Sequence, residues 1–493
     1  MISIFVNKII SWLRQNVFVW LGCISIACWW VICHFENPTT PIFINADNLT
    51  YLPILGVISM CFLVLPFIVF VCSQQFRLLR WQEKLQSVGI ALMLTTIVFR
   101  PYAYLHAQII FFLFTFIAFV CDKNRQWKIP PIFYFACLIY VIWLSISMLW
   151  TNSTEATTYF NRIIPLASYS LTFSLINLSK KNYHLLILLF WRVVCIASLL
   201  TIASGIYEAQ RMNIEFTEFI QFQKTPIQNT PVYQFLYAWS GVGHPSYNAL
   251  WLIAGLTSGF FLTYKNILTR MELLYSCTLI LFVVIITQSR IGLIMWIVIA
   301  IVGTMYLLRH YKFALLSIMT MLCILGFYIC FTHAHIIPAF YTDPARMSLL
   351  QIATDYLQVN PWKGCGLGGM TYEHIESVIG YEFKSWWPQY KTTTMYPHNQ
   401  FLGDWMQAGI IGLLVLIGII IGGFYDSFKQ YNFIGFVYLL AICLFMLIEM
   451  PFHYLGGSTI IAFFLCFILG HHDSQSHDTS LNTSACDSSK KMR

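Results

Sequence analysis

The sequence predicts an all-α, polytopic transmembrane helical bundle of about fourteen spans, or twelve plus an N-terminal pair. Three observations carry that expectation. Of the 493 residues, 58% are hydrophobic and 10% charged, whereas a soluble protein carries roughly 25% charged residues, so most of the surface must face lipid. The apolar residues fall in long runs such as 277–287, 291–308 and 410–424, which with their flanks approach the roughly 20 residues needed to cross a bilayer core. The runs are also continuous rather than alternating, as helices require and barrel strands do not.

In order, the expected spans are 15–33, 51–72, 87–100, 103–121, 131–150, 163–178, 185–207, 244–264, 271–288, 291–308, 313–331, 403–424, 433–449 and 456–470. The third and fourth, joined by Arg100-Pro101, could instead form a re-entrant hairpin. Lys8 and Arg14 precede the first apolar run with no small-residue cleavage site after it, so this run reads as a retained helix rather than a signal peptide. The net charge of +8 does not point to nucleic acid, because the cations sit in short loops rather than on one face. With both termini inside, those loops hold Arg77, Arg80 and Lys84; Lys123, Arg125 and Lys128; Lys180 and Lys181; Lys265 and Arg270; Arg309 and Lys312; and Lys429. That distribution satisfies the positive-inside rule, and inversion would break it. Most of the 15 cysteines lie in spans, and only Cys365 sits well inside a large external loop, so no disulfide framework is expected.

Four regions follow from this plan. Residues 1–240 hold the N-terminal spans and a first long external loop, 208–243. Residues 241–425 form a core that includes a second and larger loop, 332–402. Residues 426–470 hold the last spans, and the polar tail 471–493 is expected to be a disordered cytoplasmic end. Within the large loop, Asp343-Pro344 reads as an N-cap and first helical residue. Met347, Leu350, Ala353 and Leu357 recur at helical spacing, so residues 344–359 should form an amphipathic helix stopped by Asn360-Pro361. The Gly-rich run 364–369 then makes a turn that lets backbone come close to backbone or ligand.

Chemistry concentrates on the external side. Thr287-Gln288-Ser289-Arg290-Ile291-Gly292 is a tight turn that sets Arg290 at the membrane surface, Arg346 opens the amphipathic helix, and His398-Asn399 follows Pro397 before the span holding Gly409 and Gly412. Each has a plain alternative. Arg290 could anchor a helix end at the headgroups, Arg346 could be solvated, and His398 could merely cap the next helix. His244, opening a span after Gly241-Val242-Gly243, could line an acceptor groove or cap its helix, and Arg211 and Lys224 could touch a ligand or nothing. Trp386-Trp387 could stack on sugar rings or sit in the interface belt. Gly409 and Gly412 read as sites of close helix packing. Arg192, inside a span, needs a cavity, a partner or a route to the cytoplasmic edge.

Taken in order, Ser289-Arg290-Ile291-Gly292, then Arg346 with Asn360-Pro361-Trp362-Lys363-Gly364-Cys365-Gly366, then His398-Asn399 with Gly409 and Gly412, resemble the O-antigen ligase and polymerase superfamily. The resemblance covers roughly residues 240–425. It implies an inner-membrane transferase with its active site facing the periplasm, moving a glycan with inversion from undecaprenyl diphosphate to an acceptor hydroxyl, without metal or cofactor. It implies His398, Arg290 and Arg346 as catalytic residues, with Arg290, Arg346 and Asn399 binding substrate; His244 and Arg211 join the substrate-binding candidates on their own placement at the external side. The residue chemistry is compatible: Arg offers paired donors to phosphate oxygens, and an imidazole can take a hydroxyl proton near neutral pH. Such ligases commonly have twelve spans, which leaves the extra N-terminal pair without a role.

Joining the glycan to lipid A–core is the leading expectation. A polymerase or a protein O-glycosyltransferase would share the donor and differ in acceptor. A lipid-linked sugar flippase is the competitor from another class, but it would call for inverted repeats and ionisable residues at mid-membrane. A channel would need a filter-like segment.

Overall fold

The computed structural model describes residues 64–98, 101–123, 130–151, 153–211, 245–287, 289–308, 344–380 and 394–470. The expected spans 15–33 and 313–331, the start of 51–72, most of the loop 208–243, residues 332–343 and 381–393 with the Trp386-Trp387 pair, and the tail lie outside these residues.

The described residues are helical, with one isolated β-bridge between Thr371 and Thr394. Eleven long helices run up and down. They are α1 (Trp81–Thr96), α2 (Pro101–Cys121), α3 (Ile132–Ser147), α4 (Ala156–Ser174), α5 (Lys180–Arg211), α6 (Pro245–Tyr264), α7 (Arg270–Ile286), α8 (Arg290–Leu307), α11 (Gln400–Lys429), α12 (Phe433–Met446) and α13 (Leu455–Leu469). Two more, α9 (Pro344–Val359) and the short α10 (Tyr372–Ile379), belong to the large loop. Each expected span from 87–100 to 291–308 and from 403–424 to 456–470 falls on one of the eleven. The chain is a membrane protein: four helices are long and apolar enough to cross a bilayer by length and composition alone, Ile132–Trp150, Lys180–Ile202, Arg290–Leu307 and Gln400–Lys429.

Local chemistry sets the helix starts. Pro101, Pro245 and Pro344 stand first in α2, α6 and α9, where the missing N–H costs nothing. Thr269 and Glu272 close a capping box on α7, and Ser289, Asn399 and Asn432 cap α8, α11 and α12 through their side-chain oxygens. Helix α4 begins seven residues before the expected 163, because Asn161 and Arg162 interrupt an apolar pattern that the helix itself does not need.

Burial sorts the helices into centre and rim. α13 is buried along almost its whole length and α6 nearly so. α2, α3, α8 and the later part of α11 expose Ile109, Leu113, Phe116, Phe135, Ile139, Ile142, Ile297, Leu414 and Ile421 outward, an apolar girdle that only lipid would cover. Arg192 is half-buried in α5, in the favourable field of Glu272 at the start of α7.

The contacts also define two ends. At one end, Phe133 N donates to Asp426 (2.8 Å), Tyr134 Oη to Cys466 O (2.7 Å), Asn432 Nδ2 to Ile468 O (2.7 Å), and Tyr306 stacks on Phe433. This end carries Arg80, Lys84, Lys123, Lys180, Lys181, Lys265, Arg270 and Lys429. The other end holds the starts of α4, α6, α8, α11 and α13 and receives the large loop.

The loop docks as a small cap over its own apolar cluster of Ile352, Ala353, Tyr356, Leu357, Cys365, Met370, Tyr372, Ile375, Met395, Met406 and Met450. Helix α9 has the expected limits and ends before Asn360-Pro361, but its buried face is Ile352, Ala353, Tyr356 and Leu357, while Met347 is exposed. The face is turned because α9 packs on α11 and α10 rather than on a flat membrane surface. Gly409 and Gly412 are also not helix–helix contact points. At Gly409 (φ 66°, ψ −169°) α11 breaks, and the turn 364–369 lies against that break. Cys365 N donates to Met406 O (2.9 Å), Gly366 N to Gln407 O (2.7 Å) and Gly368 N to Gln407 Oε1 (2.9 Å). A Cβ on Gly409 would run into Trp362 O, and one on Gly412 would crowd Asp404 and Ala408 of its own helix.

Docking buries Cys365 and pushes its thiol up to about 12, where little thiolate exists. Cys365 is therefore expected to resist maleimide in the folded protein. Gly409→Ala, which adds a clash and a left-handed alanine costing about 1–3 kcal/mol, is expected to lower the melting temperature and expose Cys365 to labelling. Mass spectrometry of labelled peptides reads both.

Candidate active site

The segment Leu447–Met450, where α12 ends, gathers three helix starts. Arg346, in the first turn of α9, donates from Nη1 to Ile448 O (3.3 Å) and from Nη2 to Glu449 Oε1 (3.0 Å). Ser246, in the first turn of α6, donates to the same Oε1 (3.2 Å), and Tyr247 Oη donates to Met450 O (3.2 Å). His398 Nδ1 stands 3.4 Å from Glu449 Oε2. Side-chain exposure is 5% for Glu449 against 31% for Arg346 and 32% for His398. The carboxylate is thus sealed beneath, and the cation and the imidazole open outward.

His398 has φ 51°, a left-handed conformation that is uncommon outside glycine and is found where local bonds over-determine the backbone. Asn399 supplies those bonds: its Oδ1 accepts from Leu402 N (3.0 Å), capping α11, while its Nδ2 donates to Leu447 O (3.2 Å). The cap that was the plain alternative for His398 is made by Asn399.

Arg290 begins α8, half-buried. Ser289 Oγ accepts from Gly292 N (3.1 Å) and turns the chain into the helix. A Cβ on Gly292 would lie 2.8 Å from that of Ala249, so α8 starts hard against α6, one turn from Ser246. Arg290 therefore stands at the same end of the bundle as Arg346 and His398. Arg211 is placed only as the last residue of α5, and His244 and Lys224 lie outside the described residues.

Beneath lies a second polar layer that sequence reading missed. Asp404, 1% exposed, accepts from Tyr140 Oη (2.8 Å) and Gln400 Nε2 (2.8 Å) and faces His453 Nε2 (3.4 Å). Gln400 Oε1 accepts from Phe452 N (3.0 Å), and Gln407 reaches both the His453 ring and the Gly-rich turn. Arg162 Nη1 donates to His453 O (3.0 Å) and Tyr396 Oη (3.1 Å), with its guanidinium 4.5 Å from the Tyr159 ring centroid. This layer ties α3, α4 and α11 to the segment leading to His398.

The arrangement presents cations and an imidazole at a bundle end with a carboxylate behind them, a set suited to an anionic leaving group and a proton to be taken. Residues 275–417 match the family model described as O-antigen ligase. Over that segment the chain is similar to the O-antigen ligase family. The matched segment contains Arg290, Arg346, His398 and Asn399, whereas Glu449 and Arg162 lie beyond it. No curated protein matches the chain.

Arg346 is the charged donor on a buried carboxylate, and removing it leaves that carboxylate short of a partner. Arg346→Ala is expected to lower the melting temperature by several degrees in detergent. Arg346→Lys is expected to recover only part of the loss, since a single ammonium cannot span Ile448 O and Glu449 as the planar fork does. Scanning fluorimetry of the two variants checks this.

Proposed function

We propose that this chain is an O-antigen ligase, transferring a glycan from undecaprenyl diphosphate to a hydroxyl of lipid A–core at the periplasmic face of the inner membrane. The observation that carries the reading is the meeting of Arg346 and His398 on Glu449 at the end opposite the lysine- and arginine-rich loops. Cations gathered at that far end favour its cytoplasmic placement, which turns the site toward the periplasm.

The acceptor oxygen attacks the anomeric carbon from the side opposite the diphosphate, and the bond from that carbon to the phosphate oxygen breaks. A single displacement of this kind inverts the anomeric centre. His398 takes the hydroxyl proton as the new bond forms. Arg290 and Arg346 hold the diphosphate and balance the charge that collects on it as it leaves. No step requires a metal. Asn399 spends both ends of its amide within the fold, so its part is to hold His398 in place, and Arg211 and His244 are assigned to the acceptor side.

Purified protein, a synthetic lipid-diphosphate glycan and a lipid A–core acceptor are expected to give product without ATP or added metal, read by gel and mass. Arg290→Ala, Arg346→Ala and His398→Ala are each expected to cut transfer by about 100-fold or more while still inserting in the membrane. Wild-type transfer by His398→Ala would remove its role. Transfer to a second lipid-linked repeat or to a protein hydroxyl, but not to lipid A–core, would mark a polymerase or a protein O-glycosyltransferase. Lipid scrambling in liposomes with no transfer would mark a flippase.

A further inference from the structure

We infer that Glu449 is a positioning residue that fixes the tautomer of His398, so that His398 and Glu449 act as a dyad with Nε2 as the proton acceptor. The inference rests on the transfer reading above and adds a residue outside the segment that matches the O-antigen ligase model.

The geometry leaves little choice of proton position. A carboxylate only accepts hydrogen bonds. Oε1 is already occupied by Arg346 Nη2 and Ser246 Oγ, and Oε2 faces His398 Nδ1 at 3.4 Å. In a neutral ring the proton between Nδ1 and Oε2 therefore sits on Nδ1, which leaves the Nε2 lone pair to receive the acceptor's proton. When the ring becomes cationic during transfer, the same carboxylate balances the new charge. Among the described residues, the other charged and titratable groups around this corner include Arg346 on α9, Tyr247 on α6, Tyr454 against Tyr247, Arg162 with Tyr396 on the α4 side, and Arg290 at the start of α8.

A glutamine at 449 tests the tautomer rather than the packing. Arg346 and Ser246 both donate toward Oε1, so the amide oxygen must face them and the amide NH₂ must face Nδ1. A donor there forces the proton of a neutral ring onto Nε2, the wrong nitrogen for a base. Arg346 keeps its partner, so donor binding survives.

Glu449→Gln is therefore expected to keep the donor KM within about threefold of wild type while kcat falls about 100-fold or more, as happens when an orienting carboxylate is replaced by its amide. Glu449→Asp, which keeps the acceptor, is expected to recover part of that kcat. His398→Ala/Glu449→Gln should be no slower than His398→Ala alone. Nitrogen NMR of labelled histidine in the wild-type protein gives a reading that needs no active variant, with the His398 signal assigned by its loss in His398→Ala. The neutral ring should carry its proton on Nδ1.

A wild-type kcat in Glu449→Gln, or a neutral ring protonated on Nε2, would overturn the dyad while leaving the transfer reading intact. A Glu449→Gln variant whose loss is entirely in donor KM would overturn it too, assigning Glu449 to Arg346 alone. An active His398→Ala would remove His398 as the base and the dyad with it, whereas no transfer by the wild-type protein to any acceptor would remove the reading beneath both.

Discussion

A carboxylate taken out of water is tolerated only where donors surround it, and here that requirement organises one end of the bundle. Glu449 sits at the end of α12 with Arg346 and Ser246 on one oxygen and His398 on the other. The neighbouring carbonyls of Leu447, Ile448 and Met450 take Asn399, Arg346 and Tyr247. Four residues of chain thereby fix the first turns of α6, α9 and α11 against one another. The starts of helices distant in sequence meet because one short corner offers each of them an unmet acceptor.

Rigidity below that corner comes from backbone meeting backbone. Breaking α11 at Gly409 frees main-chain groups that a continuous helix would use, and the Gly-rich turn takes them up at Met406 and Gln407. The fully buried set Asp404, Gln400, Gln407, His453 and Tyr140 satisfies its members mutually. A buried polar layer so complete in its bonds specifies one arrangement. It also carries His398 in its left-handed conformation, because Gln400 and Asp404 lie on the first turns of the helix that Asn399 caps. Irregular backbone at such depth is acceptable only where protein covers it, and the cap of α9 and α10 supplies the cover.

How much of this could be read from the chain follows from what each feature needs. Helices that bury an apolar face announce themselves by composition, so α3, α5 and α11 were visible as runs, while the start of α4 was hidden behind Asn161 and Arg162. Arg290, Arg346 and His398 stood out through their place in an ordered set of motifs. Glu449 did not: it is a single acid closing an apolar run before Pro451, and its one signal, an ionisable group at a span end, is shared by many anchoring residues. The role of Gly409 was obscured for a similar reason. A glycine in an apolar helix reads as a packing site, and only the approach of residues 362–366 from forty positions away turns it into a break. Met347 was placed on the buried face because periodicity gives the spacing of a stripe but not the direction of its neighbours.

If the corner at Glu449 is what presents the reactive groups, then a lipid diphosphate must meet them there. A cryo-electron microscopy structure with an undecaprenyl diphosphate sugar bound reads that directly. Both phosphates are expected between Arg346 and Arg290, with the anomeric carbon on the side of His398 and the Glu449 contacts kept. Phosphates bound at the lysine-rich end of the bundle, or an imidazole turned away from the sugar, would contradict it.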